Sequence, residues 1–303
     1  MRAIEFFGRI ATMLTMDFGG IHTVAKLDCL RRCLDAFASA LGGRKPRLKY
    51  IDPFAGCGVW SPKQHKRPGG FFPSPTLEFE GSARIALNFK FDEFLFADKD
   101  RSSVDKLNGL RAQFPERRIQ IAKAKADGFL REICEATNWE KWRGFVFLDP
   151  FGLPPRWRTM RAIARTRAID FLLLLPPGIN RLLTRNGKTT PANKALDRFC
   201  PSLGDACYRE YEEGGLLQPQ AVCMKVAKPH DVANYYGTQL RTVFRYIVQA
   251  PLPLNIVGAT YYLWGGVGDN NGAAERLEIM QRIFSDREIR WRAKQHYRST
   301  QRP

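Results

Sequence analysis

Four acids end or closely follow apolar runs in this 303-residue chain, and two of them open a short proline- and glycine-bearing bend. Asp52 closes the run Leu48 to Ile51 and leads into Pro53-Phe54-Ala55-Gly56-Cys57-Gly58. Asp98 closes Glu93 to Ala97, and Asp127 stands before Gly128 beyond a third run. Asp149 closes Phe145 to Leu148 and leads into Pro150-Phe151-Gly152. Glycines at 56 and 58 lack Cβ atoms, so the chain can turn sharply and come close to a bound molecule. An acid at a strand end beside bare loop N–H groups suits a ligand carrying hydroxyls, an amine and a carboxylate. A dinucleotide fingerprint would need a third glycine three residues after Gly58, but Ser61 stands there.

The acids can act together only if their runs are neighbouring strands. Strands are predicted at 48–51, 93–98, 118–122, 145–148, 170–175 and 259–264. Between them, helical spacing predicts helices at about 23–41, 82–89, 104–110, 129–137, 156–167, 232–248 and 273–284. Thr23 is the expected cap of the N-terminal helix, whose stripe is Leu27, Leu30, Leu34, Phe37 and Leu41, with His22 and Lys26 at its first turn. Gly42-Gly43 is expected to stop it. Ser82 is the expected cap of the second helix, and Asp100 that of the third.

This alternation predicts an α/β fold: a doubly wound, mostly parallel sheet with an N-terminal helix, forming one domain over 1–303. Two insertions interrupt it, at about 59–80 and at 179–230, the second expected to be helical in part. Such folds bind ligands outside the carboxyl ends of their strands, so Asp52, Asp98, Asp127 and Asp149 should converge on one edge.

The formal charge of +18 and a pI near 9.9 describe a surface that attracts polyanions, nucleic acid first among intracellular ones. A merely basic enzyme is the other reading. Three clusters could carry phosphate contacts: Lys63, Lys66 and Arg67 with His65 in the first insertion; Arg158, Arg161 and Arg165 on one helix face; and Arg181 and Arg185 with Lys188 after Pro176-Pro177-Gly178. The same residues would also suit solvated faces. Seven scattered cysteines contain no C-x-x-C pair, so no metal site is expected, and Cys29 and Cys33 read as buried packing thiols. A reduced, cytoplasmic compartment fits that usage. Arg2, Glu5 and Arg9 break any leader-like apolar run, and no run is long enough to span a membrane.

With these motifs in view, the chain resembles class I S-adenosylmethionine-dependent methyltransferases and, more narrowly, the three-Cys-motif partner proteins. The resemblance rests on a His/Lys-bearing first helix, Asp52-Pro-Phe-Ala-Gly-Cys-Gly58, the Gly81-Ser82 helix start, and Asp149-Pro-Phe-Gly152. It implies S-adenosylmethionine as cofactor. Phe54, Ala55, Gly56 and Gly58 would then cradle its methionine end, with Asp52 near the ammonium and Asp98 on the ribose hydroxyls. Asp127 would take the adenine amino group or serve as a turn residue. Asp149, Pro150 and Phe151 would face the transferred methyl. Amino-methylating nucleic-acid enzymes carry a second proline and then an aromatic there, where this chain has Phe151 and Gly152. The resemblance leaves two functions open: a methyltransferase acting on nucleic acid, or a non-catalytic cofactor- or nucleotide-binding module that works with a partner protein.

Overall fold

A computed structural model describes residues 21–41, 46–60, 79–179, 183, 196–213, 220–256 and 259–291. The first 20 residues, Gly42-Gly43, Lys63, His65, Lys66, Arg67, Arg181, Arg185 and Lys188 lie outside the described residues.

In chain order the elements begin with helix α1 (Ile21–Leu41), strand β1 (Arg47–Asp52), the short strands β2 (Val59–Trp60) and β3 (Phe79–Glu80), and helix α2 (Ser82–Leu87). Next come β4 (Glu93–Asp98), α3 (Arg101–Ala112), β5 (Ile119–Lys123), α4 (Ala126–Ala136), β6 (Trp142–Leu148), α5 (Trp157–Thr166) and β7 (Ile169–Leu175). The late part contributes α6 (Leu203–Cys207), β8 (Tyr208–Glu213), β9 (Gln220–Lys225), α7 (Pro229–Val243), β10 (Tyr246–Ile247), β11 (Leu252–Ile256), β12 (Ala259–Val267) and α8 (Ala273–Ser285).

The main sheet runs β5-β4-β1-β6-β7-β12-β10, with β11 also paired to β12. The pairs β5–β4, β4–β1, β1–β6 and β6–β7 are parallel, whereas β12 runs antiparallel to β7 and to β10 and β11. The expected doubly wound, mostly parallel sheet is therefore present. From β1 the chain steps outward through β4 to β5, then returns to lay β6 and β7 on the other side. That reversal leaves a crevice between the carboxyl ends of β1 and β6, because crossovers of one hand send their helices to opposite faces on either side of it.

Both faces are covered. Trp264 of β12 packs against Gly237 of α7, while a Cβ on its neighbour Gly265 would meet Met280 and Phe284 of α8. Successive strand residues point to opposite faces, so α7 and α8 lie on opposite sides. Helix α1 packs on α8 and α2, and α4 packs on α5. The central strands are mostly apolar; β7 is buried at all seven positions, Asp170 included, as a strand covered on both faces must be. Phe37 of α1 stacks on Phe91 at 5.8 Å and meets Phe145 of β6 edge-on at 5.5 Å, seating α1 across the sheet.

Several boundaries differ from the sequence reading. Thr23 lies inside α1, which already begins at Ile21, and Ser82 is the first residue of α2, with Gly81 as its cap. Helix α4 starts at Ala126, so Asp127 sits in its first turn rather than in a loop. Asp100 caps α3 as expected, its side chain accepting from the Ser103 N–H. Val59-Trp60 pairs antiparallel with Phe79-Glu80, closing the root of the first insertion. In the second insertion the described residues form α6 and the hairpin β8–β9, so helix and strand share it. No helix among the described residues is long and apolar enough to cross a membrane.

One buried ion pair locks the antiparallel end of the sheet. Asp170 of β7 and Arg276 of α8 are 2 % and 6 % exposed, with Arg276 Nε 2.9 Å from Asp170 Oδ2. Asp170 also accepts the Gly268 N–H at 2.9 Å, which ties the turn after β12 to β7. Removing one partner leaves a buried charge unpaired and typically costs about 3–5 kcal/mol. Arg276→Met is therefore expected to lower stability by about that amount in urea unfolding. The double variant Asp170→Leu/Arg276→Met should regain a large part of it, and a single variant within about 1 kcal/mol of the parent would refute the assignment.

Candidate functional site

The strand order brings the four acids to one edge. In the parallel register Asp52 pairs with Phe96, two residues before Asp98, and Ile51 pairs with Val146, three before Asp149. Asp98 pairs with Lys123, and the chain then turns into α4 and Asp127. Asp52 and Asp149 thus flank the crevice at the reversal point, and Asp98 and Asp127 lie beyond β1 along the same edge.

Each carboxylate is already engaged by a neighbouring loop or helix. Asp52 is fully buried and accepts hydrogen bonds from the Phe54 N–H at 3.1 Å, the Ser82 hydroxyl at 2.6 Å and the Tyr50 hydroxyl at 3.4 Å. Asp98 Oδ2 accepts the Gly56 N–H at 3.1 Å, and its Oδ1 accepts the Asp100 N–H at 2.8 Å. The Ala55 N–H reaches the Ala97 carbonyl at 3.0 Å. The loop amides expected to be bare are therefore largely engaged with β1 and β4, because the loop folds back over its own sheet. What the loop offers a ligand is space. Gly56 has φ +58°, a conformation that favours glycine, and a Cβ there would meet nothing within 4 Å. Gly58, at φ +77°, is tightly packed instead: its added Cβ would sit 2.9 Å from Leu110 of α3.

Asp127 Oδ1 accepts the Arg156 N–H at 2.9 Å and the Thr159 hydroxyl at 2.6 Å. Its Oδ2 lies 3.7 Å from Arg156 Nε. It thus acts from a distance as a cap on α5, where an anion is favoured by the unpaired N–H groups of the first turn. Asp149 Oδ2 meets Lys26 Nζ of α1 at 2.5 Å. Beside it Pro150 is buried, while Phe151 is 83 % exposed at the mouth of the crevice.

Three residues that the sequence reading did not place in the site therefore belong to it. Lys26 carries the counter-charge of Asp149, and Ser82 and Tyr50 hold Asp52. Only the Gly-Ser helix start and the Lys-bearing first helix hinted at them. The arginine row separates instead of gathering. Arg158, Arg161 and Arg165 are all exposed on α5, but that helix starts at the acid edge and runs away from it. Arg158 and Arg165, seven residues apart, are separated by about 10 Å along the axis. Arg165 lies at the opposite edge, where it lines an open recess of about 530 Å³ with Arg143, Arg167 and Asp269. Only Arg158, with the neighbouring Arg156, stands by the acids.

No protein-family model matches the chain, and no curated protein does. Among solved structures, protein LPL1258 from Legionella pneumophila is similar at 12% identity and a TM-score of 0.48, over 89% of this chain and 93% of that one. The protein yhhF from Escherichia coli is similar at 15% identity and 0.29, over 65% and 87%. The N-terminal domain of EvdMO1, solved with SAH bound, is similar at 11% and 0.38, over 85% and 83%. These likenesses are shallow, and the architecture stands on the strand order itself.

Burial of Asp52, with a smaller contribution from Asp149, pushes its carboxyl up to about 7 from an ordinary value of 3.8, against the opposing hydrogen bonds of Ser82, Phe54 and Tyr50. Between these two values the folded protein holds a proton that the unfolded chain has released, so stability falls as pH rises from about 4 to about 7 and then levels off. Asp52→Asn should raise the melting temperature at pH 8 and change it little at pH 4. An equal effect at both values would show that Asp52 does not titrate in this window.

Proposed function

We propose that the chain is an S-adenosylmethionine-dependent methyltransferase that acts on nucleic acid, with an amino group as the acceptor. The observation that carries this reading is the pairing of Asp149 with the exposed ring of Phe151 at the crevice between β1 and β6, next to the open space above Gly56. The residues present fit the cofactor. Asp98 stands at the end of the second strand of the parallel run, and each of its oxygens retains a second lone pair for a ribose hydroxyl. Asp52, beside the open face of Gly56, is the candidate neighbour of the ammonium on the methionine arm. Asp127 is the candidate contact of the adenine amino group through its remaining lone pairs.

When bound, the cofactor supplies a methyl group on a sulfonium that leaves as a neutral thioether. The protein's part is placement. Asp149 accepts an N–H of the target amine, which turns the nitrogen lone pair toward the methyl and receives the proton as the new N–C bond forms. The buried Pro150 fixes the backbone at that point. Phe151 offers a face on which a base lifted from its stack can lie, a contact worth about 1–3 kcal/mol per base. Arg156 and Arg158 at the same edge, with the excess of 18 positive charges, favour phosphate nearby. The three-Cys-motif partner identity, a partner protein and a cytoplasmic location belong to this reading as proposals, as do contacts from Lys63, Lys66, Arg67, Arg161, Arg165, Arg181 and Arg185.

Calorimetry should show S-adenosylmethionine binding to the parent protein. Asp98→Ala should weaken it about a hundredfold, as expected for two hydrogen bonds to a charged acceptor. Asp149→Ala should keep the donor and lose methyl transfer to whichever of DNA, RNA or extract protein takes label from a tritiated donor. No binding at saturating donor would end the enzyme reading, and binding without any labelled acceptor would favour the non-catalytic module. Affinity for the labelled nucleic acid should fall steeply between about 50 and 200 mM salt; salt-independent binding would remove nucleic acid as the substrate.

A further inference from the structure

Lys26 is a buried cation with unfinished bonding. The residue is 9 % exposed, and its ammonium has one partner among the described residues, Asp149 Oδ2 at 2.5 Å. An ammonium carries three N–H donors, so two are left without an acceptor among the described residues, in a nearly closed environment. Buried charged donors are costly to leave so, and the acceptor that best satisfies them is itself charged.

The charges around Lys26 narrow the choice. Asp52 stands behind Asp149, close enough for the two carboxylates to influence each other, and Tyr50 and Ser82 add neutral hydroxyls. The crevice thus presents one ammonium, the Asp149 carboxylate and, behind it, the buried Asp52 carboxyl. The methionine arm of S-adenosylmethionine presents the mirror set: a sulfonium, an ammonium and one carboxylate. A nucleobase offers only neutral acceptors, which leaves the Lys26 charge less well matched.

We infer that Lys26 binds the methionine carboxylate of the methyl donor through the two N–H groups that Asp149 does not use, so that α1 forms one wall of the cofactor site. This rests on the methyltransferase reading and adds a donor-binding residue to it. Because one ammonium then touches both the donor carboxylate and Asp149, docking the donor also fixes the carboxylate that receives the acceptor amine. Lys26 is thereby a positioning residue for methyl transfer as well as a binding one.

Decarboxylated S-adenosylmethionine keeps the nucleoside, the sulfonium and the amine and lacks only the carboxylate. Titration calorimetry of both donors against the parent, Lys26→Met and Lys26→Arg tests the contact. The parent should bind the full donor more tightly than the decarboxylated one by about a hundredfold or more, the size of two charge-assisted hydrogen bonds. Lys26→Met should lose about that factor for the full donor and stay within about threefold for the decarboxylated one, which also reports that the variant is folded. Lys26→Arg should recover part of the loss. Equal losses for both donors, or full-donor affinity unchanged in Lys26→Met, would overturn the carboxylate contact and leave the methyltransferase reading standing. If the parent binds neither donor, that reading falls and the contact with it.

Discussion

A parallel sheet that grows first to one side of β1 and then to the other must open a crevice where it reverses. The helices that follow β1 and β4 cross one face, those that follow β6 and β7 cross the other, and no crossover bridges the carboxyl ends of β1 and β6. The rest of the molecule answers to that gap. The loop after Asp52 folds back over β4, α1 lays Lys26 against Asp149 from one side, and α5 begins at the other under the cap of Asp127. Each acid at the edge both holds a neighbouring segment, whether a loop (Asp52, Asp98) or a helix (Asp127, Asp149), and is a candidate contact for a ligand.

The two roles need not conflict. An ionised carboxylate has about four lone-pair sites, and Asp98 and Asp127 use only some of theirs within the protein. Asp52 is different: it is fully buried, three donors converge on it, and burial raises its carboxyl to about 7. Its first task is to hold the bend, and any effect on a ligand's ammonium is exerted through the field it shares with Asp149. The chain as a whole is strongly basic, yet this crevice gathers its carboxylates. That contrast suits a cationic small molecule bound within a surface that draws a polyanion.

The far edge of the sheet follows a different logic. Lys49 and Glu93 form a buried pair there, with Arg47 and Lys49 both lying over the Trp142 ring at 4.3 and 3.9 Å. Arg143, Arg165 and Arg167 surround an open recess beside Asp269, with Arg167 and Asp269 paired at 2.8 Å. These charges largely answer one another, so the recess carries no clear claim on a ligand, and its remoteness from the acids separates it from the site.

Element order and the position of acids at strand ends were legible in the residues, because apolar runs, helical spacing and acid-glycine punctuation are local signals. Asp52, Asp98 and Asp149 could be placed on one edge from that pattern, and Asp100 recognised as a cap. Long-range geometry was not legible. Lys26 and Asp149 are 123 residues apart and meet only because α1 crosses β6, Ser82 turns from a cap into a partner of Asp52, and Asp127 serves α5 instead of its own turn. The arginine row shared a helix face, as its spacing said, but the direction in which α5 returns across the sheet carried Arg165 to the opposite edge. Spacing along the chain determines which residues share a face; only the packed strand order decides which faces meet.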